Sequence, residues 1–176
     1  MKKYLLATTL AFGSIVHATP TTVPQVDLNS YLGTWYEIGR LPMSFQNKCA
    51  SDVKATYTLK SNGKITIKNE CKTQSGKMID VTGEAYAINQ TNSKLKVSFL
   101  PSILKKLPFG QADYWVLALG EKQNGKYQSA LVGTPNNKYL WILSRDKTLD
   151  STTYDRYLGI AKQNGYDLTN FTKTTQ

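Results

Sequence analysis

Few residues in this 176-residue chain could carry out covalent or acid–base chemistry, because the usual types are nearly absent. The only histidine, His17, falls in an N-terminal stretch that reads as a cleaved leader. Without it, neither a Ser-His or Cys-His nucleophile nor an imidazole-held zinc or haem can be assembled. The two cysteines, Cys49 and Cys71, fit either a disulfide or a pair of free thiols, one of them catalytic. Asp, Glu, Tyr and Lys remain as general acids or bases. No motif asks for a metal or an organic cofactor. What recurs instead is apolar and aromatic side chains at alternate positions, the pattern of a wall rather than of a reaction centre.

The leader is legible. Lys2 and Lys3 precede an apolar run from Leu5 to Val16, and Val16-His17-Ala18 supplies the small residues of a cleavage site, so residues 1–18 read as a signal peptide. The run is too short to span a bilayer comfortably. Removing those residues and their two lysines takes the chain from +10 to +8 and leaves 158 residues, one domain with room for a core. The lysines are scattered, without a dense run or a basic stripe, which argues against a nucleic-acid partner and for a solvated exterior. Export to the periplasm or beyond would also let a disulfide persist.

The elements follow from the periodicity. Thr19 to Val26 reads as a flexible leader and Asp27 to Ser30 as one capped turn. Trp35 to Leu41 reads as the first strand, ended by Pro42. Val53 to Lys60 alternates cleanly, Ser61-Asn62-Gly63 forms a turn, and Lys64 to Cys71 returns. That hairpin brings Val53 opposite Cys71 with Cys49 just upstream, within reach of a disulfide that would pin the loop Pro42 to Asp52. Met78 to Ile88, Leu95 to Phe99, Asp113 to Leu119, Tyr127 to Val132 and Tyr139 to Leu143 complete eight strands. The last three are apolar on both faces and need an outer cover. A helix with Tyr154, Tyr157, Leu158 and Ala161 on one stripe, ended by Gly165, supplies it. Thr172 to Gln176 reads as a frayed tail. The expected architecture is all-β: an eight-stranded antiparallel up-and-down barrel, closed where Tyr31 to Ile38 meets Tyr139 to Arg145.

Three stretches carry a resemblance. Gly33-Thr34-Trp35 resembles the G-x-W signature of the lipocalins, Asp113-Tyr114 the second half of their T-D-Y motif, and Arg145 the arginine that ends their last strand. The stretches Tyr31 to Ile38 and Tyr139 to Arg145 are most similar to those of bacterial outer-membrane lipocalins and apolipoprotein D. Ala112 replaces the threonine of T-D-Y. No cysteine follows the cleavage site, so the N-terminal lipid anchor of many bacterial members is not expected. The resemblance implies that Trp35 plugs the closed end with Arg145 over its ring, a contact worth about 0.5 to 2 kcal/mol.

An eight-stranded barrel is just wide enough to hold one small ligand. Tyr57, Leu59, Ile67, Val97, Phe99, Tyr114 and Val116 are expected to line it, a lining that suits an acyl chain. Lipocalin connectivity puts the loops Pro42 to Asp52 and Leu100 to Gln111 at one open end. There Met43, Phe45, Ile103, Leu104, Leu107 and Phe109 would form an apolar rim for transient contact with a membrane, with Lys48, Lys105 and Lys106 meeting anionic heads. The expected role is to bind and carry a fatty acid or lysophospholipid without catalysis. The alternatives are a carrier of another apolar molecule, such as a quinone, isoprenoid or drug, and an enzyme acting on lipids.

Overall fold

The computed structural model describes residues 19–100 and 110–176. The expected signal peptide, and Ile103, Leu104, Lys105, Lys106, Leu107 and Phe109 of the expected rim, lie outside the described residues. A short helix α1 (Leu28–Tyr31) precedes strands β1 (Gly33–Arg40), β2 (Ser51–Leu59), β3 (Ile65–Lys72), β4 (Met78–Ala87), β5 (Lys94–Ser98) and β6 (Ala112–Leu119). A two-strand turn, β7 (Lys122–Gln123) and β8 (Lys126–Tyr127), leads to β9 (Ser129–Gly133), β10 (Leu140–Ser144), helix α2 (Ser151–Gln163) and β11 (Thr172–Lys173). Strands β1 to β6, β9 and β10 pair antiparallel in succession, and β10 closes on β1 with Tyr36 opposite Ser144 and Arg40 opposite Trp141. The closed eight-stranded barrel expected from the alternating runs is therefore what forms, and the first and last stretches meet as expected.

Alternation sets the inner face. Trp35 stands opposite Ala55, Tyr57 opposite Ile67, and Ala85 opposite both Ile65 and Val97. Buried members of this set form one cluster inside the barrel, from Trp35 through Ile67 and Val97 to Val116 and Leu143. The two-sided strands form a second cluster outside it, where Leu117, Leu131, Leu140 and Ile142 pack under Tyr157 and Ala161 of α2. Asp150 caps α2 by accepting from the Thr153 backbone N–H at 2.8 Å, and the Tyr157 hydroxyl bonds Ser129 Oγ at 2.8 Å. The cover demanded by the two-sided strands is this helix.

Two terminal segments differ from expectation, both because unpaired backbone inside a wall must find partners. The leader is docked across the closed end: Val23 N donates to Val116 O at 2.9 Å, Val26 N to Thr91 O at 2.8 Å, and Val26 is 1% exposed. The tail is not frayed. β1 and β2 pair only from Gly33 to Tyr36, and above that β11 takes the vacated edge, with Gly39 opposite Lys173. Thr174 N then donates to Ile38 O and Asp52 N to Thr175 O, while the Gln176 amide bridges Glu37 O and Val53 O.

Candidate functional site

The closed end is built on Gly33, Trp35 and Arg145. Trp35 is fully buried and its indole N–H donates to Tyr31 O at 2.8 Å. The Arg145 guanidinium lies 3.7 Å from the centre of the Trp35 ring. It also donates to Tyr127 O, Thr34 O, Ser30 O, Tyr31 O and Leu32 O, three of them carbonyls at the end of α1 that no helix turn satisfies. Gly33 sits at φ +105°, and a Cβ there would come within 3.3 Å of Arg145, so both backbone and space require glycine. Asp113 faces outward on β6 and pairs with Lys96 at 2.8 Å, a half-exposed contact of small energetic weight.

Above this floor the barrel is filled. Tyr57, Ile67, Val97, Tyr114 and Val116 converge as expected, together with Val26 from the leader and Leu28 from α1, and the gap they leave holds about one water molecule. Three phenols cross it: Tyr114 Oη lies 2.7 Å from Tyr31 Oη and 3.0 Å from Tyr57 Oη. Two hydrogen bonds among three hydroxyls use two of the three protons. Tyr31, Ala85, Val26 and Leu28 were not anticipated; Val26 comes from the docked leader and Leu28 from α1, whose positions no strand periodicity reports.

Burial raises the Tyr57 hydroxyl from an ordinary 10.0 to about 12, and raises Tyr31 and Tyr114 for the same reason. Below pH 10 the phenols are neutral in folded and unfolded chains alike, and their contribution to stability is complete. Between pH 10 and about 12 the unfolded chain loses protons that the folded one keeps, so stability must fall as pH rises through this window. Urea midpoints measured across it should decline, and less steeply for Tyr57→Phe. A profile just as steep in that variant would assign the decline to other groups.

Above the filled part, several inward positions are exposed. Val81 stands opposite Asn69 on the inner face yet is 46% exposed, and Phe99, two residues beyond inward-facing Val97, is 40% exposed. Ala112, opposite Val97, is exposed too. Val81 lies beyond Glu84, where the pairing of β4 with β5 ends, so apolar inward side chains at this end meet solvent. Phe99 lies over Gly83, where a Cβ would come within 2.6 Å of its ring, so the glycine makes room for an aromatic at the mouth. Phe99 therefore belongs to the mouth rather than to the deep lining. Leu59 does not line the gap: it ends β2 at the closed end, 42% exposed, paired with Ile65 of β3 but past the start of β1. Met43 is likewise no rim contact, being 3% exposed, whereas Phe45 is 64% exposed and sets its edge on Tyr139.

The loop between β1 and β2 is tied down by the Cys49–Cys71 disulfide, with a Cα–Cα distance of 5.5 Å, so the free-thiol alternative falls. From this loop Gln46 reaches into the mouth, donating to Glu37 Oε2 at 3.1 Å and accepting from Trp141 Nε1 at 3.3 Å. Among the described residues no cluster of His, Cys, Asp and Glu could hold a metal ion.

The comparisons agree with this geometry. A family model described as a lipocalin-like domain matches residues 26–176. Temperature-induced lipocalin-1 of Arabidopsis thaliana is 39% identical over 157 residues, covering 88% of this chain and 81% of the relative. Outer membrane lipoprotein Blc of Vibrio cholerae is 35% identical, covering 82% and 80%, and apolipoprotein D of Macaca fascicularis is 33% identical, covering 90% and 81%. Among solved structures, insecticyanin from Manduca sexta superposes with a TM-score of 0.66 at 21% identity, covering 90% of this chain and 85% of that one. A barrel closed β10 on β1, the Trp35–Arg145 floor and these likenesses together make the chain a member of the lipocalin family.

Proposed function

We propose that this protein is an exported carrier that holds the tail of a fatty acid or lysophospholipid in the upper half of its barrel and does no chemistry on it. The observation that supports this best is the exposure of Val81 and Phe99 on an inward face, which offers a tail apolar surface at the end opposite the floor. The filled floor sets the depth: a tail enters as far as the three phenols and leaves its polar end at the mouth. The names of two relatives, outer membrane lipoprotein and apolipoprotein D, fit a lipid partner and a place outside the cytoplasm.

Delipidated protein should take up oleate at one per chain, followed by displacement of a fluorescent fatty acid. Val81→Trp and Ala112→Trp each fill the hollow at an exposed site. They should weaken uptake about tenfold, the scale of one overpacked side chain, while leaving the fold intact. Unchanged uptake in both variants would place the ligand elsewhere. Mass spectrometry of lipid extracted from the purified protein separates the acyl reading from that of a quinone, isoprenoid or other apolar molecule.

A further inference from the structure

The inner face of β1 carries two charged residues where the barrel is otherwise apolar. A bulge between Glu37 and Gly39 turns Ile38 and Gly39 both outward, so Glu37, opposite Leu143, and Arg40, opposite Trp141, both face in. The Glu37 side chain is 4% exposed and is satisfied three times over. Its Oε1 accepts from Arg40 Nη1 and, at 2.6 Å, from Thr174 Oγ1, while Oε2 accepts from the Gln46 amide. A carboxylate so occupied has little left to offer a ligand. Its effect is to fix the guanidinium beside it.

Arg40 is in the opposite condition. Its side chain is 17% exposed, and only Nη1 is engaged, by Glu37 and by Thr174 Oγ1 at 3.4 Å. Nε and Nη2 donate to no group among the described residues, which leaves the planar edge that binds a carboxylate or phosphate through two parallel hydrogen bonds. Register places this edge on the row Arg40, Trp141, Val132, Val116, which descends into the interior cluster. Arg40 is five residues above Trp35, about 16 Å of strand. A tail lying on that wall would bring its terminal oxyanion to Arg40.

We infer that Arg40 is the head-group anchor, taking the oxyanion at the end of an acyl chain, and that Glu37, Gln46 and Thr174 are positioning residues that hold it. This deepens the carrier reading and rests on it. The test compares oleate, 1-oleoyl lysophosphatidate and oleyl alcohol, which share a tail and differ in the head. Wild-type protein should prefer at least one of the two anions to the alcohol by about tenfold or more, the scale of a charge-assisted pair of hydrogen bonds. Arg40→Gln should erase that preference while keeping the affinity for the alcohol, and the anion that loses more identifies carboxylate or phosphate as the natural head.

Because Arg40→Gln leaves Glu37 buried without its cation, the double variant Glu37→Gln/Arg40→Gln is measured beside it. A third measurement needs no variant: phenylglyoxal labelling of Arg40 in the wild-type protein, read by peptide mass spectrometry, should be blocked by the preferred anion and not by oleyl alcohol. Retention of the anion preference without Arg40, its loss in Tyr114→Phe instead, or equal protection by the alcohol would each overturn the assignment and leave the carrier intact. Failure of the wild type to bind any of the three would overturn the carrier reading and this one with it.

Discussion

Trp35→Ala is expected to destabilise the folded protein by about 3 to 5 kcal/mol, the range for removing a large aromatic from a core that cannot collapse around the loss. The upper end is favoured here. Trp35 is fully buried, packs at a tilt against Tyr31 with ring centres 5.0 Å apart, and forms the face on which Arg145 rests. Its removal opens a cavity and also strips the guanidinium of its platform. Arg145→Ala should cost a comparable amount for a different reason, because it leaves the carbonyls of Ser30 and Leu32 without their side-chain donor, and that of Tyr31 with the Trp35 indole alone, in a place water reaches poorly. Arg145→Lys should recover little: an ammonium keeps the charge over the ring but cannot fork to five carbonyls. Urea unfolding of both single variants and the double gives the coupling between them, which should be well above the scatter expected of independent sites. A loss below about 1 kcal/mol for Trp35→Ala would mean that the floor is held closed by other contacts.

The wall of this protein was legible because its cause is local. Alternation at Val53 to Leu59 and at Ile65 to Cys71 reports which face each side chain takes, and the two-sided runs at Trp115 to Leu119 and Leu140 to Leu143 announce an outer cover. Tyr57 and Val116 are accordingly where the periodicity put them, and Trp35 is where the resemblance put it. The ends were not legible. The leader and the tail have no alternation, and they are ordered by backbone groups far along the chain, Val116 of β6 and Thr91 of the β4–β5 turn for one, Ile38 and Val53 for the other. Leu59 kept its face but lies past the start of β1, since strand tilt carries the end of β2 past the floor. Glu37 is the instructive omission. It follows Trp35 by two positions, so the same alternation that buried the tryptophan also buried an acid, and a buried acid requires a cation. That cation, Arg40, was hidden by the one-residue bulge that reverses the parity of β1 between them.

Loss of the Cys49–Cys71 disulfide should cost about 3 kcal/mol, from the loop entropy that the link removes from the unfolded chain across a sequence separation of 22. The consequence reaches the mouth. Cys49 ends the loop that carries Phe45, set against Tyr139, and Gln46, whose amide joins Glu37 to Trp141. Next to the disulfide the loop is also tied to the wall by the bond from Ala50 N to Lys72 O at 2.7 Å. Cys49→Ser/Cys71→Ser should therefore show two separate changes. The urea midpoint should fall, and by the same amount when the wild type is reduced with dithiothreitol. A bound fluorescent fatty acid should also dissociate faster from the variant, because Gln46 no longer holds Glu37 and the guanidinium beside it in one geometry. If the midpoint falls while the off-rate is unchanged, the disulfide serves the wall alone and the loop takes no part in retaining the ligand. If the off-rate rises in step with that of Glu37→Gln/Arg40→Gln, the covalent tether and the buried ion pair act on the same entrance.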